Sequence, residues 1–203
     1  MNEYAYNASL ESPAMGHLSS LLTAPGVVVH EFAHKVVCDL TGVPVVDVSY
    51  FRFGDPAGYV RHQEPSTYRT SFLISVAPFF VNTILALVLF TGFWHLLGTL
   101  GPLEFERVLL EGVIDAPLET QAGLVVLAWL GFVIGLQAFP STGDANTLWT
   151  RTRGEWRSAP LVLAGLPFVF LIYLVNLLSW AYLHVFYAAA LAVGAFVGVV
   201  TLV

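Results

Sequence analysis

The chain has 203 residues, of which 57% are hydrophobic and only 11% charged, and its formal net charge is −6. Soluble domains carry about 25% charged residues, and binding to phosphate backbones needs a surplus of Lys and Arg. A water-soluble globule, a disordered tail and a nucleic-acid partner are therefore excluded. One cysteine, Cys38, leaves no intrachain disulfide and no cysteine zinc cage. What remains is an all-α polytopic membrane protein, one membrane-embedded domain over residues 1–203, with the lipid bilayer as its solvent.

In chain order, residues 1–12 hold neither Lys nor Arg nor an apolar core, so they do not read as a signal peptide. Five runs approach the roughly 20 apolar residues that a crossing needs: Leu18–Leu40, Ser71–Leu100, Ala122–Phe139, Leu161–Leu178 and Tyr182–Val203. Between the first two, Val45–Phe53 is β-branched and aromatic, Gly54–Gly58 is a turn cluster, and Tyr59–His62 can return as a second strand. That pattern predicts a small β-hairpin. Six of the eight basic residues lie in two alternate loops: Arg52, Arg61 and Arg69 in one, Arg151, Arg153 and Arg157 in the other. By the positive-inside rule these loops face the cytoplasm. The expectation is a multi-pass protein of the cell membrane with its N-terminus outside and, after five crossings, its C-terminus cytoplasmic.

The first run carries its own contradiction: His30-Glu31-Phe32-Ala33-His34. Residues four apart share a helix face, so both imidazoles can converge on one ion. Glu31, one residue on from His30, can reach a water on that ion without being a ligand. A carboxylate inside a span costs about 2.5–3.5 kcal/mol on the lenient insertion scale; a metal supplies the compensation. Zinc suits imidazole ligands, and a catalytic zinc takes three protein ligands and one open position. The third ligand is sought at the edge of the third run. There Pro140 and Gly143 can turn Asp144 back toward the histidines; the bland alternative is a helix-capping aspartate. His62 and Glu64 are rival ligands. Asn82 is the other polar residue deep in an apolar run, either an oxyanion donor or a tie between helices. Pro78 is expected to kink the second run and open backbone near the site.

Other polar or small residues read as structural. His17, His95 and His184 sit alone or at span ends, and Asn176 reads as a helix–helix contact. Trp94, Trp149, Trp156 and Trp180 lie where interfacial belts lie. Gly131 with Gly135, and Gly194 with Gly198, could pack within the bundle or form the seam of a homo-oligomer.

Together, the His-Glu-x-x-His segment in a span, the hairpin after it, the Asn-bearing second span and Asp144 after the third resemble the site-2 protease family of intramembrane zinc metalloproteases. The resemblance covers residues 18–146, a three-helix catalytic core, with residues 159–203 as accessory helices. It implies hydrolysis of peptide bonds in or near the spans of a membrane-protein substrate. It implies zinc (Zn2+) held by His30, His34 and Asp144, with Glu31 as general base, Asn82 assisting the substrate and the hairpin docking a substrate strand. The family's second motif usually reads Gly-Pro-x-x-Asn, whereas here three residues separate Pro78 from Asn82. Its third motif usually reads Asp-Gly, whereas here Ala145 follows Asp144. The rival reading is a non-catalytic membrane protein with a structural or sensory zinc, which would close the site with a fourth ligand such as Glu64.

Overall fold

The computed structural model describes residues 13–102, 106–178 and 182–202. Residues 1–12, Glu104 and Trp180 fall outside that description, as does the side chain of His17. Helix α1 spans Pro13–Thr41. It ends where Gly42 takes a φ of +71°, and two backbone bonds close its last turn, Val43 N–H to the Cys38 carbonyl and Gly42 N–H to that of Asp39. This is the left-handed glycine stop that helices favour. Strands β1 (Val45–Ser49) and β2 (Tyr59–His62) pair antiparallel, with an irregularity between Val45 and Asp47. The expected hairpin is thus present, its first strand ending four residues before Phe53. Helix α2 runs Tyr68–Gly98 from an N-cap at Thr67. Helices α3 (Glu106–Asp115), α4 (Leu118–Leu136) and α5 (Thr142–Glu155) follow. A 3₁₀ turn over Pro160–Gly165 leads into α6 (Leu166–Leu177), and α7 spans Leu183–Leu202.

Four segments among the described residues are long and apolar enough to cross a membrane: α2, α4, the 3₁₀ turn with α6, and α7. The sequence expectation of five is one too many on this measure. α1 has the length, 29 residues, but carries Glu31, Lys35 and Asp39, the last two paired with each other one turn apart.

Side-chain contacts fix the direction of each helix. α1 runs against α2, with His34 meeting Ile74 and Gly26 meeting Asn82. α4 also runs against α2: Gly131 faces Phe90 and Gly123 faces Leu96. α5 continues downward from the end of α4, so that Thr152 bonds the Tyr68 hydroxyl at the start of α2. α6 then rises beside α2, from Gly165 against Tyr68 to Phe168 against Phe72. α7 rises too: Tyr187 bonds Thr83, and Ala192 accepts from Trp94. The expectation that Leu161–Leu178 and Tyr182–Val203 alternate in direction is therefore corrected. Both segments climb the same way. Hydropathy counts apolar residues but carries no arrow.

Among the described residues three buried clusters stand out, one of them Cys38, Val43 and Ile74, where the end of α1 meets α2. Ala86, Phe90, Ile134 and Ala195 join α2, α4 and α7 above the level of Asn82. Below it, Ala145, Leu148, Val169 and Ile172 join α5 to α6. The site lies between these last two layers.

Candidate metal centre

His30 and His34 stand one turn apart on α1, 9% and 8% exposed, with ring centroids 5.0 Å apart. Each ring is held by a backbone carbonyl. His30 Nδ1–H donates to the Gln137 oxygen at 2.7 Å, and His34 Nδ1–H to that of Ile74 at 2.9 Å. A carbonyl only accepts, so a proton must sit on Nδ1, and in the neutral ring the lone pair is then on Nε2. This is the outer hydrogen bonding that metal-ligating histidines use to set tautomer and ring angle. Gln137 is the C-cap of α4, where carbonyls have run out of helical partners. Gly26 lets α1 come close enough to use that end: a Cβ there would stand 2.1 Å from the Val133 carbonyl oxygen.

Asp144 is the third group. Ser141 and Asp144 form a reciprocal capping box at the start of α5. Asp144 Oδ2 accepts from Ser141 N–H at 2.9 Å and from its hydroxyl at 2.7 Å. Oδ1 faces the other way, 3.8 Å from His34 Nε2. The cap uses Oδ2 and leaves Oδ1 turned to the histidines, so capping does not bar this carboxylate from the group. One ligand atom from each of His30, His34 and Asp144 lies within 4.8 Å of the others. Among the described residues no other group of His, Cys, Asp or Glu converges in this way.

His62 and Glu64, the rival ligands, line a different cleft beside Ser71 and Arg151. Glu31 lines a cleft of about 260 Å³ together with His30, Pro140 and the hairpin residues Pro56 to Gly58. The hairpin loop presses on Glu31 so closely that a Cβ on Gly58 would stand 2.7 Å from Glu31 Cγ. Arg52 holds that loop through the Pro56 and Asp55 carbonyls.

Asn82 is fully buried. Its amide N–H₂ lies 3.1 Å from the Gln137 oxygen, 3.2 Å from that of Ile134 and 3.4 Å from that of Gly26. Its Oδ1 has no partner. The structure thus places Asn82 between α1, α2 and α4, sharing the Gln137 carbonyl with His30, and not on the cleft wall. Two residues read as structural do reach that wall, Asn176 and His184. Asn176 donates to the Pro140 and Ile172 carbonyls, whereas the His184 ring packs T-shaped against Phe139. Nothing in the sequence marked His184, because its position on the cleft depends on the direction of α7.

No family model, no curated protein and no solved structure matches the chain. The chemistry must be read from the residues themselves. Two neutral imidazoles and a carboxylate are the donor set of a divalent transition metal, and zinc above all. The opposed donor atoms and the preset Nδ1 protons fit such an ion. Glu31, adjacent in sequence to His30, lines the open cleft and lies outside the converging set.

Proposed function

We propose that the chain is a zinc-dependent intramembrane peptidase resembling the site-2 proteases, cleaving membrane-protein substrates at the cytoplasmic edge of the bilayer. The observation that supports it best is the convergence of His30, His34 and Asp144 beside a cleft that contains Glu31. Zinc held by these three would supply a polarised scissile carbonyl and an acidified water, the two services of a metal with one open position. Glu31 takes the proton of the attacking water and returns it to the leaving amine. The hairpin supplies the substrate's path. A two-stranded sheet leaves an unpaired edge on each strand, to which an extended peptide can add, and the hairpin's end opens on the cleft. His184 replaces Asn82 as the donor to the developing oxyanion, since Asn82 spends its N–H₂ on backbone carbonyls.

The rival structural-zinc reading wants four protein ligands, and three converge among the described residues. As to topology, Arg151 bonds the Pro65 carbonyl and the Ser71 hydroxyl, so the two basic loops share one end of the bundle. That end is the cytoplasmic one. α1 then forms a crossing with its N-terminus outside. α2 returns, α4 descends, and α7 ascends to leave the C-terminus outside as well. α6, with 12 residues and about 18 Å of length, is too short to cross alone. It lines the cytoplasmic half beside α5.

The test is Glu31→Gln in protein reconstituted with peptides containing a membrane span. Cleavage falls by at least about 100-fold, the scale of general acid–base catalysis, while stoichiometric zinc remains by elemental analysis. Undiminished cleavage, or wild-type protein devoid of zinc, overturns the reading.

A further inference from the structure

Why the Ile74 carbonyl is free to hold His34 has an answer four residues further on. In an α-helix the carbonyl of residue 74 accepts from the N–H of residue 78. Residue 78 is proline, inside α2 and fully buried, and proline has no N–H. The orphaned oxygen lies in a buried stretch, Ile74 being 3% exposed, and a buried carbonyl needs a donor. His34 Nδ1 supplies it at 2.9 Å.

We infer, resting on the zinc reading above, that Pro78 is a positioning residue of the metal centre: by withholding one N–H it reserves the Ile74 carbonyl for His34 and so turns the His34 Nε2 lone pair toward Asp144. Neutral imidazole has two tautomers. Only the one protonated on Nδ1 both satisfies Ile74 and leaves Nε2 facing the Asp144 carboxylate. An N–H at position 78 would compete for the same oxygen and release the ring to its other tautomer. α4 does for His30 what Pro78 does for His34: there the helix simply ends, and Gln137 offers an oxygen that His30 shares with the Asn82 amide. Both ligands are thus oriented by helix carbonyls without helical partners, one freed by a proline and one by a terminus.

The experiment measures zinc affinity of the purified full chain by competition with a chromophoric chelator. It also measures the Nδ1–H fraction of His34 in the metal-free protein by nitrogen-15 NMR. Pro78→Ala is expected to weaken zinc about 10-fold, the low end of the range for losing an outer hydrogen bond, and to lower the Nδ1–H fraction. Pro25→Ala removes the proline inside α1 without touching Ile74, and is expected to change neither. Should Pro78→Ala fail to fold, an ester in place of the Ile74–Ser75 peptide bond weakens the same acceptor with Pro78 intact, and zinc affinity again falls. Wild-type affinity and tautomer in Pro78→Ala, or in the ester variant, overturn the inference. Wild-type protein that retains no zinc overturns the peptidase reading instead, while the tautomer measurement still judges Pro78.

Discussion

The two halves of the bundle reach the site by different means. α1 and α2 are continuous helices of 29 and 31 residues. The other two rising or falling paths are each made of two helices, α4 and α5 on either side of Gln137–Ser141, and α6, which ends at Leu177, with α7, which begins at Leu183. Both breaks fall at the level of the histidines: Gln137 bonds His30, and Asn176 and His184, which flank the second break, line the same cleft. A continuous helix consumes its own backbone groups and offers only side chains. A broken one also offers carbonyls and capping residues. The continuous half accordingly brings the imidazoles and Glu31. The broken half brings the Gln137 oxygen, the Asp144 carboxylate and the His184 ring on the cleft wall. Pro78 is the point where the continuous half behaves as if broken.

The sharpest test of that division is topological. If α6 and α7 form one interrupted ascent, a reporter fused after Val203 reports the same side as one fused before Met1. Phosphatase or fluorescent-protein fusions answer this without ambiguity. Opposite sides would mean that α6 and α7 cross separately, which would remove the second break.

Next in size is the contrast between Asp144 and its capping partner. On the proposed zinc reading Asp144→Ala removes a ligand as well as a cap, so zinc affinity is expected to fall by more than about 100-fold, beyond the loss of any outer hydrogen bond. Ser141→Ala removes the cap alone. It costs about 1 kcal/mol of stability in thermal unfolding and leaves zinc bound. If the two variants lose zinc alike, the carboxylate serves only to start α5.

Asn82→Leu separates the two roles open to that residue. As a tie between helices it loses donors to buried carbonyls, and stability drops by about 1–3 kcal/mol. As an oxyanion donor it would instead lower kcat by about 100-fold or more. Its full burial and spent N–H₂ predict the first outcome, with kcat changed far less than by His184→Ala. The readout is kcat against unfolding midpoint in the same preparation.

These contrasts also show what a sequence exposes. The pair His30 and His34 was legible because the i, i+4 spacing is geometry written in residue numbers, and Glu31 because a carboxylate in an apolar run demands compensation. Asp144 was legible through Pro140 and Gly143, which forecast a helix break. The hairpin was legible from its turn cluster. The holders of the histidines were not. Gln137 and Ile74 act through backbone oxygens, which every residue has. Only Pro78 left a trace, as an expected kink that opens backbone. The directions of α6 and α7 were illegible because hydropathy is blind to sense. His184 was lost with that direction, and the choice for Asn82 between oxyanion donor and helix tie stayed open because burial depth alone does not reveal which carbonyls stand nearby.

The smallest expected effect lies in the hairpin, outside both halves. Tyr59 donates its hydroxyl to Asp47 Oδ2 at 2.8 Å, and the side chains of Arg52 and Arg61 lie over its ring at 5.3 and 4.9 Å. The hydrogen bond to Asp47, foremost, raises the phenol above its usual pKa of 10.0, while the two arginines pull the other way. A raised pKa means that the folded hairpin prefers the neutral phenol. Its contribution to stability is therefore complete below the ordinary tyrosine pKa and fades as pH climbs through the raised value. The group is exposed, so the whole-protein stability barely moves; what moves is the titration itself. Asp47→Asn removes the carboxylate and leaves the arginines, so the Tyr59 midpoint in an ultraviolet titration shifts down. An unmoved midpoint would show that Asp47 and Tyr59 are apart in solution. The edge of β1 would then be free to move relative to the cleft, and substrate docking on that strand would lose its fixed register.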